Sequence, residues 1–288
     1  MLLATVDSLR RTKVVESLLT QRMIRKYQNV LEIWRQVNKD WNQVLYSMAA
    51  YVLCAPRNSV PAQRLAQVVP YTAVLRERSS RQRVEALLLG ASGLLEEEYY
   101  DNYIIALQND FDYLAGKYSI RPLRAGEWAT SRNYPQGNPV MRLVQLAALL
   151  CKGEFSFDTV VGCRSLDEVA GLLEVEVSDY WQTHLTPQGN KTPIHKRIGR
   201  DKVAMMAINM VIPLQMAYAD VMKDVALKER AIELLESIPV ERNRMVARWS
   251  GMGVPCRSAY DSQALVELQS LCERGACGEC PLEKQLRK

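Results

Sequence analysis

Residues 8–37, SLRRTKVVESLLTQRMIRKYQNVLEIWRQV, string Leu9, Val15, Leu18, Leu19, Met23, Tyr27, Val30, Leu31, Trp34 and Val37 along one side of a helix. These apolar positions recur every three or four residues, the period that gathers side chains on one helical face, and not at the two-residue alternation of a half-buried strand. The spacing persists beyond this segment. It predicts an all-α fold, an irregular multi-helix domain of about a dozen helices with a C-terminal cysteine-rich tail.

Working outward, Asp40 has the chemistry of an N-cap for a helix to about Cys54, and Ser59 followed by Val60-Pro61 starts a short one. Ser80 opens a helix through Val84, Leu87 and Leu88, which Gly90 and Gly93 are expected to break. A helix from Asp101 to Lys117 is followed by the connection RPLRAGEWATSRNYPQGNP, residues 121–139. This seam separates a basic N-terminal helical subdomain, 1–120, from a C-terminal helical subdomain with the cysteine tail, 121–288, unless the two form one continuous domain. Asn138-Pro139 starts the next helix and Ser165…Glu168 forms a capping box. Arg200 or Asp201 begins a long apolar helix in which Pro213 predicts a kink or an end. Pro239 is expected to open a polar helix to Trp249, and Tyr260–Leu271 leads into the tail.

With 48% hydrophobic residues over 288 positions the chain has material for a real core. No run of eighteen apolar residues occurs; Val203 to Tyr218 carries Asn209 and Pro213 and reads as a buried core helix, so no membrane partner is expected. The N-terminus lacks the pattern of a signal peptide. Seven mostly scattered cysteines do not suit a secreted disulfide framework, and a cytoplasmic chain with reduced thiols is expected.

The net charge of +5 is uneven: residues 1–90 hold fourteen Lys or Arg against six Asp or Glu. Helical periodicity brings Arg11, Arg22, Arg25 and Lys26 to a common side of the first helix, with Arg10 and Lys13 beside them. A second basic knot, His195, Lys196, Arg197, Arg200 and Lys202, precedes the long apolar helix. Clusters of this kind meet phosphates, and the expectation is a nucleic-acid-binding patch of Arg11, Arg22, Arg25, Lys26, Lys196, Arg197 and Arg200. The plainer reading is that these long side chains solvate helix faces.

Four cysteines fall in the last thirty-three residues: Cys256, Cys272, Cys277 and Cys280, the last three as C-x4-C-x2-C. Clustered thiolates hold structural zinc or an iron–sulfur cluster, and these four are the candidate metal ligands, with Cys256 or a non-cysteine group in the fourth position. Free thiols and a redox-active pair stand beside that reading. Cys54, Cys151 and Cys163 read as small buried hydrophobes.

Enzyme signatures are missing: no P-loop, no G-x-G-x-x-G after a strand, no G-x-S-x-G, no H-E-x-x-H, and only two histidines, His184 and His195. No catalytic residue is assigned. Glu85, alone among leucines, needs a partner, for which Arg132 or Arg142 is expected; Asn209 is expected to satisfy a core hydrogen bond.

Several blocks resemble a known family: RQRVEALLLGASGLLEE, Tyr103…Leu107 leading into FDYLAGKYSIRPL, EWATSRNYPQGNPVMRLVQLAALL, KRIGRDKVAMMAINMVIPLQMAYA and DSQALVELQSLCERGACGEC. Together they are similar to the uncharacterised bacterial domain-of-unknown-function family 2851, in its C-terminal helical part. The resemblance implies no established activity. It does imply that longer relatives carry an upstream segment like a restriction-endonuclease core, absent from these residues, so that Met1 would be a trimmed or alternative start. The expected function is an accessory helical domain with nucleic-acid association, partnered by such a nuclease-like segment or by another protein. The alternative is a structural or protein-interaction module that binds no nucleic acid.

Overall fold

The computed structural model describes residues 7–130, 137–192 and 197–286. These residues are helical with no strand; a single antiparallel bridge joins Pro239 and Ser258. The chain falls into two compact units, one of residues 1–35, 164–166 and 207–288, the other of residues 36–163 and 167–206. The long first helix groups with the C-terminal helices, and the segment that follows it belongs to the other unit.

The first helix, α1 (Ser8–Gln36), buries Val14, Leu18, Leu19, Met23, Val30 and Leu31 and belongs to the first unit. In the second unit follow α2 (Trp41–Leu53), α3 (Ser59–Val68), α4 (Tyr71–Glu77), α5 (Arg81–Ala91), α6 (Asn102–Tyr118), α7 (Pro139–Cys151), α8 (Phe157–Gly162), α9 (Leu166–Leu173) and α10 (Asp179–Thr183). Caps set several starts as the sequence predicts. Asp40 accepts from the amides of Asn42 and Gln43 at 2.9 and 3.2 Å, Asp101 from Tyr103 and Ile104, and Asn138 from Val140 at 2.9 Å.

The centre of this unit is α5, buried at every residue from Val84 to Ala91 and packed against α6 and α7. Its leucines 87, 88 and 89 are wholly enclosed, and each contributes about 1.5–3 kcal/mol of apolar burial. Gly90 does not break the helix. It lies within it, where a Cβ would overlap the Phe111 ring of α6, so the glycine serves close approach; Gly93, at φ +77°, makes the exit.

The long apolar helix α11 (Arg200–Met222) is helical throughout. Pro213 neither ends it nor stands in an ordinary α-turn. A π-turn at Ala207–Val211 precedes the proline and accommodates its missing N–H and ring. This helix is long and apolar enough to cross a membrane, and 67% of its most apolar window is buried within the protein.

The first unit continues with α12 (Val225–Ser237), α13 (Arg244–Gly251), α14 (Ala259–Glu273) and α15 (Pro281–Leu286). Here α14 packs on α12 and α13. Pro239 does not open α13, because its segment is held in the bridge to Ser258; Asn243 caps the helix instead, accepting from the Val246 amide at 2.8 Å.

One buried carboxylate ties α4, α5 and α6 together. Glu77, 3% exposed at its side chain, accepts from Lys117 Nζ and Tyr118 Oη at 2.6 Å each and from Arg83 Nη1 at 3.1 Å. The bonds from Lys117 and Tyr118 hold its pKa down at about 2. A depressed acid stabilises the fold above the unfolded value, near 4.3, and that contribution is lost as pH falls towards 2. We expect Glu77→Gln to lower stability by about 1–2 kcal/mol at neutral pH and to flatten the acid limb between pH 4.5 and 2, read by denaturant melts across that range.

Candidate functional site

In the first unit the inner side of α1 carries a polar network. Arg22 donates from Nε to Gln263 Oε1 at 2.6 Å and lies 3.5 Å from Glu267, to which Arg25 is also bonded. Lys26 donates to the same Gln263 oxygen at 2.6 Å, to Asn209 Oδ1 at 2.9 Å and to the Ile208 carbonyl at 3.2 Å. Gln263 in turn donates to Glu241 at 2.5 Å, which Ser262 also reaches at 2.9 Å. The π-turn supplies both the Ile208 carbonyl and Asn209, so the irregular stretch of α11 is what receives the ammonium. Burial pushes the Lys26 pKa well below that of ordinary lysine, Arg22 adds to the drop, and Glu241 opposes it.

This network redefines the expected basic face. Arg22, Arg25 and Lys26 turn inward to acids and amides, whereas Arg11 is only partly covered. Arg197, in the second unit, is exposed and ion-paired with Glu174 and Glu176 at 3.4 and 3.5 Å; Arg200 is exposed, and Lys196 lies outside the described residues. The acceptors Glu241, Gln263 and Glu267 went unrecognised in the sequence, since nothing in their spacing ties them to a helix more than two hundred residues away.

The tail does not assemble the expected metal centre. Cys272 and Cys277 are exposed, Cys280 is buried and Cys256 half-buried, all as free thiols. Burial raises the Cys272 pKa, and Cys280 and Cys277 add to the rise, so these thiols feel one another. Even so, no group of three or more His, Cys, Asp or Glu among the described residues is arranged to hold a metal ion.

In the second unit Glu85 is fully buried, and its partners among the described residues are neutral donors. Oε2 accepts from Tyr103 Oη at 2.5 Å, Trp181 Nε1 at 2.9 Å and Ser178 Oγ at 3.3 Å. Arg142, one expected mate, bonds Gln145 instead; Arg132, the other, lies outside the described residues. Burial raises the Glu85 pKa against those three hydrogen bonds. Tyr103 and His184 both stack on Tyr180, with ring centroids 4.8 and 4.2 Å away, and His184 Nδ1 lies 2.9 Å from the Tyr180 carbonyl oxygen, so this histidine is a packed, satisfied side chain.

A second cation cluster lies at the C-terminal end of α2. Lys202 Nζ donates to the carbonyls of Ala55 at 2.9 Å and Val52 at 3.4 Å and approaches Met205 Sδ at 3.4 Å. Arg142, on α7, donates from Nη1 to Gln145 Oε1 at 2.8 Å. Both are half-buried, and neither forms an ion pair among the described residues. No Asp or Glu occurs in residues 1–6, 131–136, 193–196 or 287–288, so no undescribed side chain supplies the missing carboxylate. Burial lowers both pKa values, that of Lys202 to about 8, where Arg142 deepens the drop. Cys54 sits within both cations' fields, yet burial pushes its thiol up to about 12.

The family described as protein of unknown function (DUF2851) matches the chain over residues 2–244, which leaves the cysteine tail beyond the matched region. No curated protein and no solved structure matches it.

Two members of the α1 network respond differently to mutation. Glu267→Ala leaves Arg22 buried beside Lys26 with a carboxylate removed, and we expect a loss of about 3–5 kcal/mol in chemical denaturation. Lys26→Met is expected to be far milder. A lysine with a depressed folded pKa makes stability rise with pH up to the unfolded value near 10.4, and this substitution should remove that rise.

Proposed function

The chain belongs to the DUF2851 family of proteins of unknown function, and we propose for it a non-catalytic, accessory role in nucleic-acid association, with phosphate contacts made in the second unit and not along α1. The observation that carries this reading is the pair Arg142 and Lys202, two half-buried cations that face no carboxylate. Removing a cation from water without a counter-charge is unfavourable, and a phosphate oxyanion at the pair relieves that penalty. The second unit as a whole is balanced, eighteen Lys or Arg against eighteen Asp or Glu, so the excess is local. The carbonyl end of α2 offsets only about half a charge of Lys202.

The roles within the pair differ. Lys202 has its three donors on two carbonyls and a thioether, and it contributes field. Arg142 uses one of its donors on Gln145 and presents the rest of a rigid planar fork suited to phosphate. No nucleophile, base and orienter converge there, which is why the proposed role is binding and not turnover. The structural or protein-interaction reading has one observation in its favour: Arg22, Arg25 and Lys26 of α1 are engaged by acids and amides within the first unit.

The test is fluorescence anisotropy with labelled single-stranded DNA, duplex DNA and RNA at low salt. We expect binding that weakens steeply with added salt, and a double variant Arg142→Gln, Lys202→Gln that loses about tenfold in affinity with a salt slope shallower by about 1–2. Affinity should also fall as pH rises through about 8, where Lys202 gives up its charge. Absence of binding at low salt, or a double variant that binds as the parent does, contradicts the proposal.

A further inference from the structure

Beyond the last turn of α14 the backbone reverses and then tightens. Gly275, at φ +65°, donates its amide to the Cys272 carbonyl at 3.1 Å, and Ala276 donates to the Leu271 carbonyl at 2.9 Å, a reversal that glycine makes without steric cost. The next residues, Cys277–Glu279, form a single 3-10 turn, closed by the Cys280 amide donating to the Cys277 carbonyl at 2.9 Å. A four-residue turn of this kind holds its first and last Cα atoms within about 7 Å. A disulfide usually spans about 4.4–6.8 Å between the same atoms, so the backbone itself holds Cys277 and Cys280 within reach of a bridge. Both are free thiols, and their surroundings differ: Cys277 is exposed, whereas Cys280 is buried at the start of α15. Gln21 of α1 donates to the Glu279 carbonyl at 3.4 Å, which seats the turn on the first helix of the same unit.

We propose that Cys277 and Cys280 form a reversible thiol–disulfide site whose oxidant is a low-molecular-weight disulfide. The Cys277 sulfur, open to solvent, attacks one sulfur of the small disulfide; that S–S bond breaks, and its other half leaves with the electron pair and takes up a proton. Cys280 then attacks the Cys277 sulfur of the mixed disulfide and expels the second small thiol. The protein thereby gives up two electrons and two protons, and one small disulfide becomes two thiols. The bridge closes a loop of only four residues, 277–280, which removes little entropy from the unfolded chain, and the Cys277 end of it stays open to solvent. Exposed bridges of this kind exchange readily, so the pair is a redox site and not a permanent staple.

The experiment incubates the reduced full chain with glutathione disulfide, quenches exchange with acid, alkylates the remaining thiols under denaturing conditions and maps them by mass spectrometry. The alkylatable thiols should fall by two from the seven of the reduced chain, with Cys277 joined to Cys280, and excess reduced glutathione should restore all seven. Cys280→Ser should stop at a glutathione adduct on Cys277, Cys277→Ser should lose the bridge, and Cys272→Ser should behave as the parent, each variant being checked for native helicity by circular dichroism. Seven thiols that stay free in the parent, a bridge that runs through Cys272, or a bridge that excess reduced glutathione does not reopen would overturn the proposal.

Discussion

A cation withdrawn from water calls for an acceptor, and the way several buried lysines and arginines of this chain meet that demand shapes both units. Glu77 gathers Lys117, Arg83 and Tyr118 and so fixes α4, α5 and α6 around one carboxylate. Glu267, Glu241 and Gln263 do the same for Arg22, Arg25 and Lys26, joining α1 to α14. At the end of α2 the pattern stops: Lys202 finds carbonyls, Arg142 finds an amide, and no carboxylate arrives. The proposed function is read from that pair.

Backbone irregularity serves the same demand. The π-turn of α11 stands where Pro213 disturbs the ordinary hydrogen-bond ladder, and its Ile208 carbonyl and Asn209 side chain become acceptors for Lys26. A helix that the proline alone would have kinked is thereby made into part of a charge-binding surface. Glu85 shows the converse arrangement, an acid enclosed by the neutral donors Tyr103, Ser178 and Trp181, where burial favours the protonated form. It is best understood as a packed polar centre of α5, since its bonded partners among the described residues are neutral and Tyr103 beside it is stacked on Tyr180.

Much of the fold was legible in local chemistry. Asp40, Ser80, Asp101 and Asn138 cap the helices their side chains predict, and the apolar stripe of α1 is buried at Leu18, Leu19, Met23, Val30 and Leu31, while Leu9 at its start is exposed. The misreadings share one cause, that a residue's role was settled by a distant segment. Gly90 looked like a breaker because the Phe111 ring it accommodates lies twenty-one positions on; Pro239 looked like a helix start because its bridge to Ser258 is invisible to periodicity. The candidate site was less legible still. Basic spacing on α1 correctly brought Arg22, Arg25 and Lys26 to one side but could not say that Glu267 and Gln263 cover that side. Arg142 looked like the mate of a buried acid, and what singles it out, the absence of any carboxylate in reach, is a property of its surroundings that only three-dimensional placement reveals.

The central claim, that Arg142 and Lys202 bind an anion and do not merely cap a helix end, is tested most directly by diffraction from crystals of the full chain soaked in tungstate, a phosphate-like dianion with strong anomalous scattering. The account predicts an anomalous peak within ion-pair distance of the Arg142 guanidinium and close to Lys202. A carboxylate seated against Arg142, or tungstate bound elsewhere with none at this pair, would contradict it.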